Sequence, residues 1–279
     1  MNLYDTIQNR ISVREYQNKN FDSMTLDKVK ALLSHINPLY KDIEVRLELV
    51  HEDVKSAGMG FMNGYIKIQA PYCVAAISEK RDGYMENIGF IQEQAVLELT
   101  GMGIGSCWLG TFDNEVLRHL LKVNDNEVIT NVIALGYPEE KSFRNDGLRK
   151  LLGSKRKKET EIAFYKEWGE DAAIFLDNKP LLRKILKASI LAPSGGNKQP
   201  VCLVFTEDSV HFFVKNKKDN IVINPWAAID AGIFISHFYF CCLEESIHIN
   251  FYKDSSEEKF KIPSDTSYII SMKLDYKYD

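Results

Sequence analysis

The sequence predicts an α+β fold made of two tandem units, and three observations carry that reading. The order helix, strands, long helix, strand runs through the chain twice. A stretch rich in basic residues, RNDGLRKLLGSKRKKETE, separates the two runs. The 279 residues are long enough for one large domain or two small ones. Cut at the basic joint, the halves are 1–160 and 161–279.

In the first half, apolar spacing predicts a helix near Leu26 to Leu33, then strands over VRLELV and YCVAAI. A helix from about Glu86 to Thr100 follows, with Ile88, Ile91, Ala95 and Leu99 on one face, and VITNVIALGY closes the half as a strand. In the second half, a helix over about Leu181 to Leu191 leads into the strands PVCLVF and VHFFV. AAIDAGIFISHFYFCCLEE is apolar on nearly every side, which predicts a helix buried at the centre of the molecule. IHINFY and YIISMKL complete the set as strands. Neither half contains a short-period repeat or low-complexity tract, so a duplication would be old and architectural. The basic joint reads either as a solvated linker or as an anion-binding element.

Charge is mixed and the formal net charge is −4, which argues against a general affinity for nucleic acid or anionic membrane and points to small-molecule partners. The N-terminal MNLYDTIQNRISVREY lacks a basic region ahead of an apolar core, and no stretch approaches the roughly 18 uncharged residues of a membrane span. The expectation is a cytoplasmic protein. Cys73, Cys107, Cys202, Cys241 and Cys242 lie mostly in apolar runs, without CxxC or Cys/His ligand spacing. That is the pattern of small core residues in a reducing compartment.

Four stretches draw attention. ELTGMGIGSCWLG, Glu98 to Gly110, has the glycines of a dinucleotide loop, but a helix precedes them where that fingerprint needs a strand. It reads as a helix C-cap followed by backbone N–H groups open to a ligand, or as a plain helix stop. RISVREY places Arg10, Ser12 and Arg14 at alternating positions. In an extended segment they converge and suit a phosphate, whereas Ser12 as a helix N-cap would leave the arginines exposed. APSGGNKQP, Ala192 to Pro200, either holds a flat, polar-edged ligand or merely stops a helix. His237, in the apolar helix, reads as a satisfied core histidine or as a ligand. GxSxG, GxxxxGK[ST] and HExxH patterns are all missing, so hydrolase, NTPase and metalloenzyme readings have no support.

Together, RxSxR near the N-terminus, GMGIGSCWLG after a long helix, LGYP at 135–138, the following KRK and APSGGNKQP resemble the nitroreductase superfamily of FMN-dependent oxidoreductases. The resemblance implies an α+β fold and, in dimeric members, FMN bound at the subunit interface. It assigns the FMN phosphate to Arg10, Ser12 and Arg14, helped by a basic residue of the 155–157 run, Arg156. Pro193, Ser194 and Asn197 would meet the flavin from the facing unit, and backbone N–H groups at Leu109 and Gly110 would lie beside its N5 edge. Trp108 either lines that cavity or packs in the core.

One departure is informative. The family carries RxSxR and APSxxNxQP within a single repeat, whereas here they sit in different halves; LLSHINPLY and YKEWGEDAAIF stand where the missing copies would be. Complementary losses imply a single-chain pseudo-dimer, similar to the fused, double-length branch of the superfamily, with one FMN per chain and no need to dimerise. The chemistry implied is ping-pong: NAD(P)H reduces FMN, which then reduces a nitroaromatic, quinone or similar acceptor. A non-catalytic FMN-binding or storage protein, or a pseudoenzyme binding module, is the alternative. No long lid is evident between Asn114 and Asn131.

Overall fold

Strand β4 (Tyr72–Glu79) explains how the first sheet is built, and the computed structural model, which describes residues 2–51, 57–61, 66–140, 155–219, 221–253 and 259–275, shows why it is apolar from Tyr72 to Ile77. The chain divides into one unit built on residues 9–151 and a second that joins residues 2–8 to 152–279. Helix α1 (Leu3–Asn9) thus falls almost wholly in the second unit.

The first unit contains α2 (Ser23–Ser34), β1 (Val45–Val50), the short pair β2 (Gly60–Phe61) and β3 (Ile66–Lys67), and β4 (Tyr72–Glu79). Then come α3 (Tyr84–Gly101), β5 (Gly105–Leu109), α4 (Asn114–Leu120) and β6 (Glu127–Gly136). The main sheet is antiparallel, in the order β1-β4-β6-β5. Cys73, Ala75 and Ile77 of β4 pack into a cluster with Leu109, Leu117 and Val132. Tyr72 and Val74 point the other way, toward Val96 and Leu99 of α3 and Val29 and Leu33 of α2. Both faces are covered, so the strand has no polar alternation to show. Asp22 caps α2 by accepting the Thr25 N–H at 2.7 Å, and Asp113 caps α4 by accepting that of Val116 at 3.1 Å.

The second unit holds α5 (Glu159–Ile162), β7 (Ala163–Tyr165), α6 (Ala173–Asp177) and α7 (Pro180–Ser189). They are followed by β8 (Val201–Phe205), β9 (Ser209–Lys215), the short pair β10 (Lys217–Lys218) and β11 (Ile221–Val222), α8 (Ala227–Glu244), β12 (His248–Tyr252) and β13 (Thr266–Asp275). Its sheet order is β12-β13-β9-β8-β7, with β7 parallel to β8 and the other pairs antiparallel. Phe212 meets Phe234 and Phe238 of α8, while its neighbour Phe213 meets Trp168, Phe260 and Tyr268. This sheet too is covered on both faces.

Among the described residues, α8 is the one helix with the length and hydropathy to cross a membrane, and 72% of it is buried inside the protein. His237 is wholly buried in it. All five cysteines are buried, and no group of three or more His, Cys, Asp or Glu residues is placed to hold a metal among the described residues.

The two sheets share an internal order. Starting from the strand after the first long-enough helix of each, the first runs β1-β4-β6-β5 and the second β8-β9-β13-β12, with β7 added outside β8. The ten-residue strands β6 and β13 also share a bulge. Pairing of β6 with β4 shifts beyond Ile129, and pairing of β13 with β9 shifts beyond Tyr268, each the third residue of its strand.

Candidate functional site

RISVREY is extended. Ser12 bridges Ser106 of β5 in parallel, Val13 donates its N–H to the Ser106 carbonyl at 2.8 Å, and Tyr16 bridges Pro138. Ser12 is therefore no helix N-cap. Val13 is buried while Ser12 and Arg14 are half-buried, the alternation of an extended ribbon lying along the edge of β5. Two glycines permit this close approach. A Cβ on Gly105 would lie 2.8 Å from Val13 Cγ2, and one on Gly136 would lie 2.7 Å from Pro71 Cδ and 3.0 Å from the Tyr16 ring. LGYP thus helps to seat the RxSxR ribbon.

The GMGIG stretch does end α3 as a C-cap: Gly103 takes φ +76°, and Ile104 donates to the Leu99 carbonyl at 2.9 Å. Beyond the cap, Gly105–Leu109 form β5, paired with β6 on one side and flanked by residues 12 and 13. Leu109 buries its side chain in the core. Gly110, exposed, has nothing within 4 Å of where a Cβ would stand.

Arg10 is set deeper than Arg14. Its side chain is 7% exposed, and its Nε lies 3.9 Å from Oε1 of Glu93, which is fully buried midway along α3. The other Glu93 oxygen accepts the Trp108 indole N–H at 2.9 Å. Trp108 also packs against the cluster around Leu99 and Ile133, so it has a structural role of its own. Sequence reasoning missed Glu93. The available signal was a carboxylate inside an otherwise apolar helix, which needs a partner when buried.

In the second unit, Pro193, Ser194 and Asn197 come together with Arg156. The Arg156 guanidinium donates to the carbonyls of Leu191 (2.9 Å) and Ala192 (3.0 Å) and to Asn197 Oδ1 (3.0 Å). It so caps the end of α7 and grips the loop beyond. Asn197 donates to the Lys155 carbonyl at 3.2 Å, and Gln199 donates to the same carbonyl at 3.1 Å while accepting the Lys157 N–H at 2.9 Å. The amides expected to face a ligand make these bonds within the chain. Gly196 and Asn197 both take φ +57° and Gln199 φ +47°, so the loop is held in left-handed backbone by this stitching. The part of the basic joint at 144–154 lies outside the described residues.

A second missed residue lies beneath this loop. Asp230, in the first turn of α8, accepts the Gly195 N–H at 2.9 Å and is 7% exposed. Burial pushes its carboxyl up to about 6, opposed by the Gly195 bond and by Lys198. It lines a cavity of about 20 Å³ with Lys157, Pro193, Ser194, Gln199 and Phe234. That is room for about one water, not for a flavin ring.

An antiparallel sheet with a long buried helix against it, and an RxSxR ribbon seated beside a GSCWLG strand, define the nitroreductase class of α+β proteins. The chain belongs to the family described as "Putative TM nitroreductase", whose model matches residues 2–242. It is similar in fold to a putative nitroreductase from Thermotoga maritima, with a TM-score of 0.63 at 22% identity, covering 98% of this chain and 93% of that one. It is also 37% identical over 67 residues to a protein of Archaeoglobus fulgidus named "Putative NADH dehydrogenase/NAD(P)H nitroreductase". That match spans 22% of this chain and 38% of the relative's length.

Proposed function

We propose that this chain is an FMN-dependent oxidoreductase of the nitroreductase type, working as a cytoplasmic single-chain pseudo-dimer with one FMN. The observation that carries the reading is the extended ribbon: Ser12 and Arg14 stand on one edge of it, directly along the strand that leads to Gly110. A hydroxyl and a guanidinium together suit a phosphate monoester. Open space at Gly110 suits close approach of a flat ring to backbone N–H groups there and at Leu109, which would favour negative charge on its reactive edge. The residues present therefore fit FMN.

In this reading Arg10 backs the phosphate site from its pairing with Glu93. Pro193, Ser194 and Asn197 present the second unit's loop to the flavin, and Arg156 fixes that loop while adding positive charge toward the phosphate. Bound FMN would supply the hydride chemistry, taking electrons from NAD(P)H, the donor in the Archaeoglobus relative's name, and passing them to a nitroaromatic, quinone or similar acceptor in a ping-pong cycle. The pseudo-dimer is supported by the matched strand order, by the bulge after the third residue of both β6 and β13, and by the division of motifs between units. Five buried thiols suit a reducing compartment.

The test is the visible absorption spectrum of the purified protein, with released flavin quantified against chain, followed by stopped-flow mixing with NADH and NADPH. One FMN per chain, bleached by a nicotinamide, is expected. Two FMN per chain would overturn the pseudo-dimer, and a protein that neither carries nor takes up FMN would overturn the flavin reading.

A further inference from the structure

The two long helices each use their fourth residue in the same way. In α3 that residue is Asn87, which accepts the Tyr40 N–H at 3.0 Å and donates back to the Tyr40 carbonyl at 3.4 Å, holding the loop that follows α2. In α8 it is Asp230, which accepts the Gly195 N–H at 2.9 Å in the loop that follows α7. The device is shared and its chemistry is not. Asn87 anchors a loop without the APSGGN motif, through an amide that cannot titrate. Asp230 anchors the loop that has it, through a carboxylate that can.

We propose that Asp230 is a positioning residue for the flavin-contact loop, and that losing its charge in acid loosens the loop and weakens flavin binding. This rests on the FMN reading above. Asp230 carries no salt bridge among the described residues. The cation acting on it is Lys198 on the loop; Lys157, ahead of α5, lines the same cavity, and Arg156 grips the loop through Asn197. Lys157 Nζ is engaged with the Gln199 carbonyl at 2.8 Å and Arg156 with the end of α7, while Asp230 is the only acidic residue in the first turn of α8. Little therefore offsets the burial that raises its carboxyl to about 6. Above that value the carboxylate takes the Gly195 N–H as a charge-assisted bond; below it a neutral carboxyl accepts more weakly. Gly195 leads directly into the left-handed Gly196 and Asn197, so a slackened anchor is felt where the loop is most strained.

The experiment uses the full chain and D230N, which installs the amide that the first unit already uses. First, without flavin, the Gly195 amide resonance is followed by NMR from pH 4.5 to 8. A shift with a midpoint near 6 in the wild-type chain and none in D230N is expected; a Gly195 resonance that does not titrate overturns the proposal. Second, FMN affinity is measured at pH 5 and pH 8 by flavin fluorescence. The FMN phosphate itself titrates near pH 6, so the difference between the two proteins is what counts. Wild type should lose about fivefold more affinity on acidification than D230N, the ratio between a charge-assisted and a neutral bond. Equal losses overturn the proposal. If neither protein binds FMN at any pH, the flavin reading fails, and the Gly195 titration still decides whether Asp230 anchors the loop.

Discussion

Glu93 accepts the indole N–H of Trp108 at 2.9 Å with one oxygen and faces Arg10 with the other, at a depth where its own side chain is fully buried. The arrangement ties the middle of α3 to β5 and to the start of the RxSxR ribbon. Glu93→Ala would strip a buried guanidinium of this carboxylate, and destabilisation of about 3–5 kcal/mol is expected in urea unfolding. Glu93→Gln keeps an acceptor for Trp108 and should lose less.

The two arginines of RISVREY should separate by what they affect. Arg14, half-buried beside Ser12, is expected to lose about 1.5–3 kcal/mol of FMN affinity on replacement by Ala, with the melting temperature unchanged. Arg10→Ala should lower the melting temperature as well, because Glu93 then loses its buried partner. Isothermal titration with FMN beside thermal melts of both variants checks this, and identical behaviour would mean that Arg10 is not the structural member of the pair.

Glycines 105 and 110 make a similar contrast. Gly105→Ala puts a methyl group 2.8 Å from Val13 Cγ2 and should destabilise the fold by about 1–3 kcal/mol as the ribbon is pushed off β5. Gly110→Ala meets open space and should leave stability intact. Weaker FMN binding in the second variant, without loss of stability, is the outcome expected if a ring lies against that backbone.

Asn197→Ala removes bonds to Arg156 and Lys155 and leaves an unsuitable residue at φ +57°, a loss of about 1–2 kcal/mol in the local stability of the loop. Hydrogen exchange at residues 195–198 should speed up while the β8–β9 amides stay protected. Asn197→Gly, which tolerates the backbone angle, should fall between Ala and wild type.

The pH dependence of stability is set in part by Asp230. Its carboxyl sits at about 6 in the folded chain against an ordinary 3.8, so the folded state holds the proton more tightly. The corresponding stability is complete below the ordinary value and is lost as pH rises through about 6, a change of about 3 kcal/mol. Asn cannot make that transition. The stability of D230N relative to wild type, measured by urea unfolding from pH 4 to 7.5, should therefore rise with pH; a constant difference would count against a buried, titrating Asp230.

How much of this was legible in the sequence depended on the kind of signal. Long elements with apolar periodicity, such as α3, α7 and β9, were evident. The seven-residue α1 and α4 have too few turns for a period to show, and β5 was hidden because Gly105 is there for the approach of Val13, which no local pattern reveals. At the site, the alternation of Arg10, Ser12 and Arg14 offered an extended ribbon beside a helix N-cap at Ser12, and only the pairing with Ser106 of β5 decides between them. The partners of Asn197 and Gln199 did not show, since Lys155 and Lys157 are some forty residues away in sequence. Glu93 and Asp230 were passed over because a reading by hydrophobic period notes which faces are apolar, and not which polar groups those faces must satisfy.

Helix α1 belongs with residues 152–279, its Tyr4 ring lying 3.9 Å below the ammonium of Lys184 on α7. During synthesis, residues 2–8 are made before any part of the surface on which they rest. The first sheet has all its strands long before α7 exists, whereas α1 must wait, unpacked, for most of the chain to be translated. Its docking is a contact of very long sequence separation, of the sort that forms late. A ribosome-bound nascent chain of the first half would therefore carry a folded sheet and a loose α1, and completion of the second half would be the event that ties residues 2–8 to residues 152–279 in a single folding history.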